Sequence, residues 1–294
     1  MAEAEGMVVI MDAADRQRRR PRVTRSPADP TKSGTSPLAR WADLRDFTPA
    51  RVALGRAGNG MPTAAHLAFQ ADHAQARDAV HAALDVPGVQ ADLAEASFAN
   101  VAVHSAAPDR RTFLLRPDLG RRLRLADRAI LPETPGAMLF VICDGLSATG
   151  VRRHAVPLLA RVIPALTGAC PIAPVVVAEQ GRVALGDEIG ELMRADAVAV
   201  LIGERPGLSS PDSLGVYLTW RPRIGRSDAE RNCISNIRPE GMAIEAAADK
   251  LLWLIRAMWR MRLTGIDLKD DQPALSSPHR GLTDDSGKSG QGPA

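Results

Sequence analysis

Pro135-Gly-Ala-Met-Leu-Phe-Val-Ile-Cys-Asp-Gly145 sets an unbroken apolar run, Ala137 to Cys143, between two pairs of turn-forming residues. A short run without polar alternation is the pattern of a strand covered on both faces, as in a parallel sheet. Downstream, Val151 to Leu166 carries an apolar stripe at helical spacing and Ile172 to Ala178 reads as strand. Gly181-Arg-Val183 then reads as a turn and short strand, Asp187 to Met193 as helix and Ala197 to Ile202 as strand. Strands alternating with helices in this way predict an α/β fold: a doubly wound, mainly parallel, Rossmann-like sheet whose ligands sit beyond the carboxyl ends of the strands. A further strand, Gly215 to Trp220, and a helix, Ala243 to Met261, complete the layer.

Upstream of residue 135 the signals are mainly helical. Trp41 to Phe47 reads as a short amphipathic turn, and a glycine-rich stretch, Ala57-Gly-Asn-Gly-Met-Pro62, precedes a helix over Thr63 to Leu84. Pro62 suits a helix start, and Leu67, Phe69, Ala74, Ala76, Val80 and Leu84 recur at helical spacing. Asn100 to His104 and Arg111 to Leu115 look like short strands, and Arg116 to Gly120 opens another helical stretch. Residues 12–40 and the tail from Gln272 are rich in Pro, Ser, Gly and charge, without apolar periodicity, and read as disordered. The expected division is a disordered basic arm (1–40), a mainly helical region (41–134), a Rossmann-like region (135–270) and a disordered tail (271–294).

The formal net charge of +3 is unevenly spread. The arm contributes +3, residues 41–270 contribute +1 and the tail −1, so net positive charge does not draw a ligand to the folded part. Arg18 to Arg25 is basic but lacks interleaved aromatics, so nucleic acid is not an expected partner. The three cysteines, Cys143, Cys170 and Cys233, are far apart and form no Cys-x-x-Cys, which fits a reducing cytosol. No apolar run approaches the ~18 residues of a membrane span, and no secretory signal is legible.

Three loops follow buried strands and should converge on one crevice: Asp144 to Gly150, the turn around Gly181, and Gly203 to Pro211. Asp144 and Ser147 suit a helix cap, and free N–H groups there suit a phosphate. The stretch is neither Gly-x-Ser-x-Gly, Gly-x-Gly-x-x-Gly nor a Walker loop, so no hydrolase nucleophile, nicotinamide or ATP site is read from it. Glu204 can accept N–H bonds from a ligand or pair internally with an arginine. Cys233 either faces a site or is a small buried hydrophobe. His66, His73 and His81 lie about two helical turns apart, too far for chelation from one helix, so no metal site is assigned. The residues alone give a ligand-binding layer with no identifiable catalytic acid, base or nucleophile, compatible with a non-catalytic corrinoid- or nucleotide-binding module.

Several stretches together resemble the ethanolamine ammonia-lyase small (light, beta) subunit family. They are Gly55-Arg-Ala-Gly58 with Pro62-Thr63, Phe69-Gln-Ala-Asp-His73 with Ala76-Arg-Asp78, and Leu115-Arg-Pro-Asp-Leu-Gly-Arg-Arg122. They continue with Cys143-Asp-Gly-Leu-Ser147, Gly181-Arg-Val183, Gly190-Glu191, Leu201-Ile-Gly-Glu-Arg-Pro-Gly207 and Arg231-Asn-Cys-Ile-Ser-Asn-Ile237. Each is weak alone, but their order holds from about Arg51 to Leu268.

The resemblance implies a carbon–nitrogen lyase that converts ethanolamine to acetaldehyde and ammonia by adenosylcobalamin-dependent radical chemistry. It implies a hetero-oligomer in which a large barrel subunit carries the substrate and most catalytic groups while the small subunit closes over the cobalamin. It assigns cobalamin contacts to Val183, Glu204 and Cys233 and no catalytic residue to this chain. A corrin rim bears amides, so it needs acceptors such as a carboxylate and apolar contact rather than a patch of positive charge. Asp-x-His-x-x-Gly is absent from the chain, so the cofactor is expected base-on. The expected location is cytoplasmic; some members of the family lie within a bacterial microcompartment.

Overall fold

The computed structural model describes residues 44–46, 48 and 50–271. The proposed basic arm, Trp41 and Phe47 from the first helical turn, and nearly all of the proposed tail lie outside the described residues. The chain divides into two units at Gly55/Arg56. In the first, Leu44–Asp46 forms a single 3-10 turn, and Arg45 Nε donates to the Val52 carbonyl at 2.9 Å.

The second unit is built on six strands: β1 (Asn100–His104), β2 (Met138–Cys143), β3 (Val175–Glu179), β4 (Ala197–Gly203), β5 (Leu214–Trp220) and β6 (Asn232–Ile237). Its helices are α1 (Thr63–His81), α2 (Val86–Glu95), α3 (Arg110–Leu115), α4 (Ala148–Leu166), α5 (Leu185–Leu192) and α6 (Ile244–Met261). The strand order is β1-β3-β2-β4-β5-β6. The first four run parallel, while β5 and β6 join antiparallel at one edge. The fold is therefore α/β with a mixed, mostly parallel sheet. Among the described residues, no helix is long and apolar enough to cross a membrane.

Alternation of side chains across the strands sends them into two cores. Met138, Phe140 and Ile142 of β2 face one core with α2, α4 and α6; Leu139, Val141 and Cys143 face the other with α5. Both faces being covered is why β2 and β4 are buried along their whole lengths and read as continuous apolar runs. The order reverses at β2: the chain leaves through α4 to β3 on one side and returns through α5 to β4 on the other. Such a reversal leaves a crevice beyond the carboxyl ends of the strands.

Several elements differ from the sequence reading. Arg110–Leu115 is helical, not strand, because the Asp109 carboxylate caps it by accepting the Thr112 N–H at 2.7 Å. Gly181 to Val183 forms a turn without a strand, and α5 begins at Leu185, two residues earlier than expected. After Arg116, 3-10 turns at Leu119–Arg121 and Leu125–Ile130 replace the expected helix. Helix α1 ends at His81 and buries only Ala79, leaving Leu67 57% exposed, so its apolar residues are not core. Helix α2 and strand β6 were not anticipated.

Candidate functional site

The three loops after β2, β3 and β4 are stitched together by main-chain and carboxylate bonds. Gly181 N–H donates to Asp144 Oδ1 at 3.0 Å, and Leu146 N–H donates to the Gly203 carbonyl at 2.9 Å. Ser147, not Asp144, caps α4, accepting the Gly150 N–H at 3.1 Å while its own hydroxyl donates to the Pro211 carbonyl at 2.7 Å. Asp144 instead sits 1% exposed and receives Arg110 Nη1 at 3.1 Å. Burial raises its pKa from 3.8 to about 6. The Arg110 charge and the N–H groups of Gly181, Gln180 and Gly145 oppose that rise without cancelling it.

That elevation has a signed consequence. A carboxyl group whose folded-state pKa exceeds its unfolded value contributes fully below the unfolded value and loses that contribution as pH rises through the folded one. The stability of the wild type relative to Asp144→Asn therefore falls by about 2 kcal/mol between pH 4 and pH 7, at ~1.4 kcal/mol per pKa unit. Urea titrations of both proteins across that window measure it; a difference independent of pH would contradict the assignment.

Val183 lies half-buried in the turn between β3 and α5, packed against the same core as Tyr217. Glu204 follows β4 directly. Among the described residues it makes no ion pair: its Oε2 accepts the Ser213 hydroxyl and the Asn236 N–H, the latter at 3.1 Å. Oε1 has no donor among the described residues and rests over Gly215, where an added Cβ would stand 2.9 Å from it. Cys233 on β6 is exposed rather than a buried hydrophobe, and pairs in register with Tyr217 on β5. Burial, then the neighbouring Cys233, pushes the tyrosine hydroxyl up to about 12, so it is neutral at physiological pH.

Tyr217 thus relates to all three residues named from the sequence: it lines one cleft with Val183, pairs in register with Cys233 and feels the Glu204 charge. It was missed in the sequence reading, although it is the chain's only tyrosine and sits on a strand. It also lines, with Val183 and Ala184, a cleft of about 470 Å³ whose other walls include Pro117, Arg121, Arg182 and Asp228. His66, His73 and His81 all lie exposed on α1, and among the described residues no three His, Cys, Asp or Glu side chains gather into a metal-binding group.

A family model for the ethanolamine ammonia-lyase light chain (EutC) matches residues 38–269. The chain belongs to this family. An ethanolamine ammonia-lyase small subunit from Xanthomonas campestris pv. campestris is 53% identical over 253 residues, covering 83% of this chain and 93% of the relative. The small subunit from Azotobacter vinelandii is 53% identical over 238 residues, 79% and 88% of the two chains. That from Pseudomonas syringae pv. tomato is 49% identical over 252 residues, 83% and 88%. The matched span covers both cores and the whole crevice. As an ethanolamine ammonia-lyase small subunit, the chain is one part of a carbon–nitrogen lyase.

Proposed function

We propose that this chain closes over adenosylcobalamin against the large subunit of ethanolamine ammonia-lyase, with Val183, Glu204 and Cys233 meeting the corrin periphery. The observation that carries the reading is the unfilled acceptor Glu204 Oε1, open over Gly215 beside the Tyr217–Cys233 pair. A corrin rim offers primary amides, which need acceptors of this kind, and the flanking Val183 and Tyr217 offer apolar cover. The residues present therefore fit the group. Bound, adenosylcobalamin supplies the radical chemistry for turning ethanolamine into acetaldehyde and ammonia.

The part of this chain is to bind, orient and exclude water. Glu204 is held by Ser213 and Asn236, so its free oxygen is aimed before any ligand arrives. Pre-positioning of this sort reduces the ordering cost of binding. Helix α1, with Ala79 as its only buried residue and with Leu67 exposed, is the face we assign to the large subunit. With no Asp-x-His-x-x-Gly in the chain, the cofactor is bound base-on. The hetero-oligomer works in the cytosol.

The test is reconstitution. This chain alone has no lyase activity; adding the large subunit, ethanolamine and adenosylcobalamin restores it, and a folded, associated pair without activity overturns the reading. In that complex Glu204→Gln keeps the shape but removes the charge, lowering cobalamin affinity roughly 10-fold, as expected for loss of one charge-assisted hydrogen bond. Equilibrium dialysis followed by corrin absorbance measures it, and an unchanged affinity removes Glu204 from the site.

A further inference from the structure

The folded region is nearly neutral in sum, yet its arginines are not evenly neutralised. Arg182 follows β3, and its guanidinium lies 4.1 Å from the centre of the Phe113 ring, with Arg110 over the same ring at 4.9 Å. The Arg182 N–H donates to the Gly120 carbonyl at 2.8 Å, which brings the neighbouring Arg121 to the same cleft. Burial, then Arg110, Arg121 and Arg205, disfavour the Arg182 charge, while Asp144 favours it. Asp144 is already occupied by Arg110 and Gly181.

The remaining charges in the cleft are spoken for. Arg226 is paired with Glu230, and Arg231 with Asp187 and Asp228. Arg121, on the cleft wall, has no acidic partner among the described residues. Arg182 Nε is buried without any hydrogen-bond partner. Beside it, the main-chain N–H groups of Val183 and Ala184, at the start of α5, donate to nothing among the described residues. Arg182 Nη2 donates to the Phe113 carbonyl at 3.3 Å, which leaves both guanidiniums without an acidic partner among the described residues; such groups, together with free N–H groups at a helix start, make a receptor for a phosphate-type oxyanion.

We infer that Arg182 and Arg121, with the Val183 and Ala184 N–H groups, hold the phosphodiester of the cobalamin nucleotide loop. This rests on the cobalamin reading above. The phosphodiester is the one anionic substituent on the corrin's periphery, and the cleft adjoins Val183 and Tyr217, where the corrin edge is assigned. The chemistry needed is a monoanion with two free oxygens, which the guanidiniums and the N–H pair would share. The neutral amides of the rim then fall to Glu204, so the two ends of the ligand are sorted by charge.

The experiment compares two ligands on the reconstituted complex: aquacobalamin, and cobinamide, which lacks the phosphodiester and nucleotide. Binding is read by dialysis and absorbance, independent of turnover. Arg182→Met keeps the stem over Phe113; Arg121→Ala is an exposed change that leaves the fold untouched. Each is expected to weaken cobalamin about 10- to 100-fold, the loss typical of a charge-assisted contact, while cobinamide affinity stays as in the wild type. Equal losses for both ligands, or no loss for either, overturn the proposal while leaving cobalamin binding itself intact. Weakened association with the large subunit at an unchanged cobalamin-to-cobinamide ratio also overturns it, and assigns the arginines to an acidic segment of the partner. A wild-type complex that binds neither corrinoid refutes the underlying cobalamin reading instead.

Discussion

Replacing Arg231 with methionine costs the fold about 3–5 kcal/mol, the range expected when one partner of a buried ion pair is removed and the other is left uncompensated. Arg231 and Asp187 are each 2% exposed at the side chain and meet through two parallel bonds, Nη1 to Oδ1 at 2.7 Å and Nη2 to Oδ2 at 2.6 Å. The guanidinium also donates to Thr219 Oγ1 and to the Arg226 carbonyl, both at 3.0 Å. Methionine fills much of the volume but leaves the buried Asp187 carboxylate without its direct ion-pair partner, with only the more distant Arg226 charge opposing its burial. The pair spans α5 and the antiparallel edge of the sheet, so the loss also loosens β5 and β6, which carry Tyr217 and Cys233. Urea unfolding of the single variants and of Arg231→Met with Asp187→Leu forms a double-mutant cycle. The double variant is expected to recover most of the loss, because burying neither charge avoids the desolvation cost. A single-variant loss below about 1 kcal/mol would mean the pair is replaced by water and does not lock the edge.

The parallel part of the fold was legible because its strands are buried on both faces. Met138–Cys143 and Ala197–Gly203 are continuous apolar runs closed by turn residues, and each was placed to within a residue. The antiparallel edge was harder. In β6 only Ile234 and Ile237 are buried, three apart, since a register irregularity between Leu214 and Val216 breaks the two-residue period. Helix α2 was hidden by Pro87 and Gly88, residues that usually punctuate a chain. Here Asp85 caps the helix by accepting the Gly88 N–H at 3.1 Å, and Val89 and Leu93 supply one buried face.

The candidate site divides in the same way. Glu204 was found because it ends a readable strand. Tyr217, Arg110 and Phe113 were not, because their relevance lies in contacts across 16 to 70 positions of sequence that no local pattern encodes. Net charge misled in a related manner. A sum of +1 over the folded residues hides a group of arginines at one edge, compensated by acids elsewhere.

Gly203→Ala separates the geometry of the crevice from the chemistry of Glu204. Gly203 ends β4, and a Cβ built there stands 2.1 Å from the Ser147 carbonyl oxygen and 2.5 Å from that of Asp144. Both obstacles are main chain, so no side chain can swing away; the loop after β2 and the end of β4 must part. Over-packing of this kind costs about 3 kcal/mol, and it strains the Leu146 N–H bond to the Gly203 carbonyl that closes the crevice. Because Glu204 is the next residue, its carboxylate moves with the strand end. The expected result is therefore a joint loss: a lower unfolding midpoint and a drop in cobalamin affinity at least as large as that of Glu204→Gln. Glu204→Gln itself leaves the midpoint within the ordinary scatter of a half-exposed substitution, about 0.5 kcal/mol. Thermal melts and dialysis on the two variants distinguish the cases. If Gly203→Ala destabilises the fold yet binds cobalamin with wild-type affinity, the position of Glu204 does not govern binding, and the contact at the end of β4 must be made by another residue.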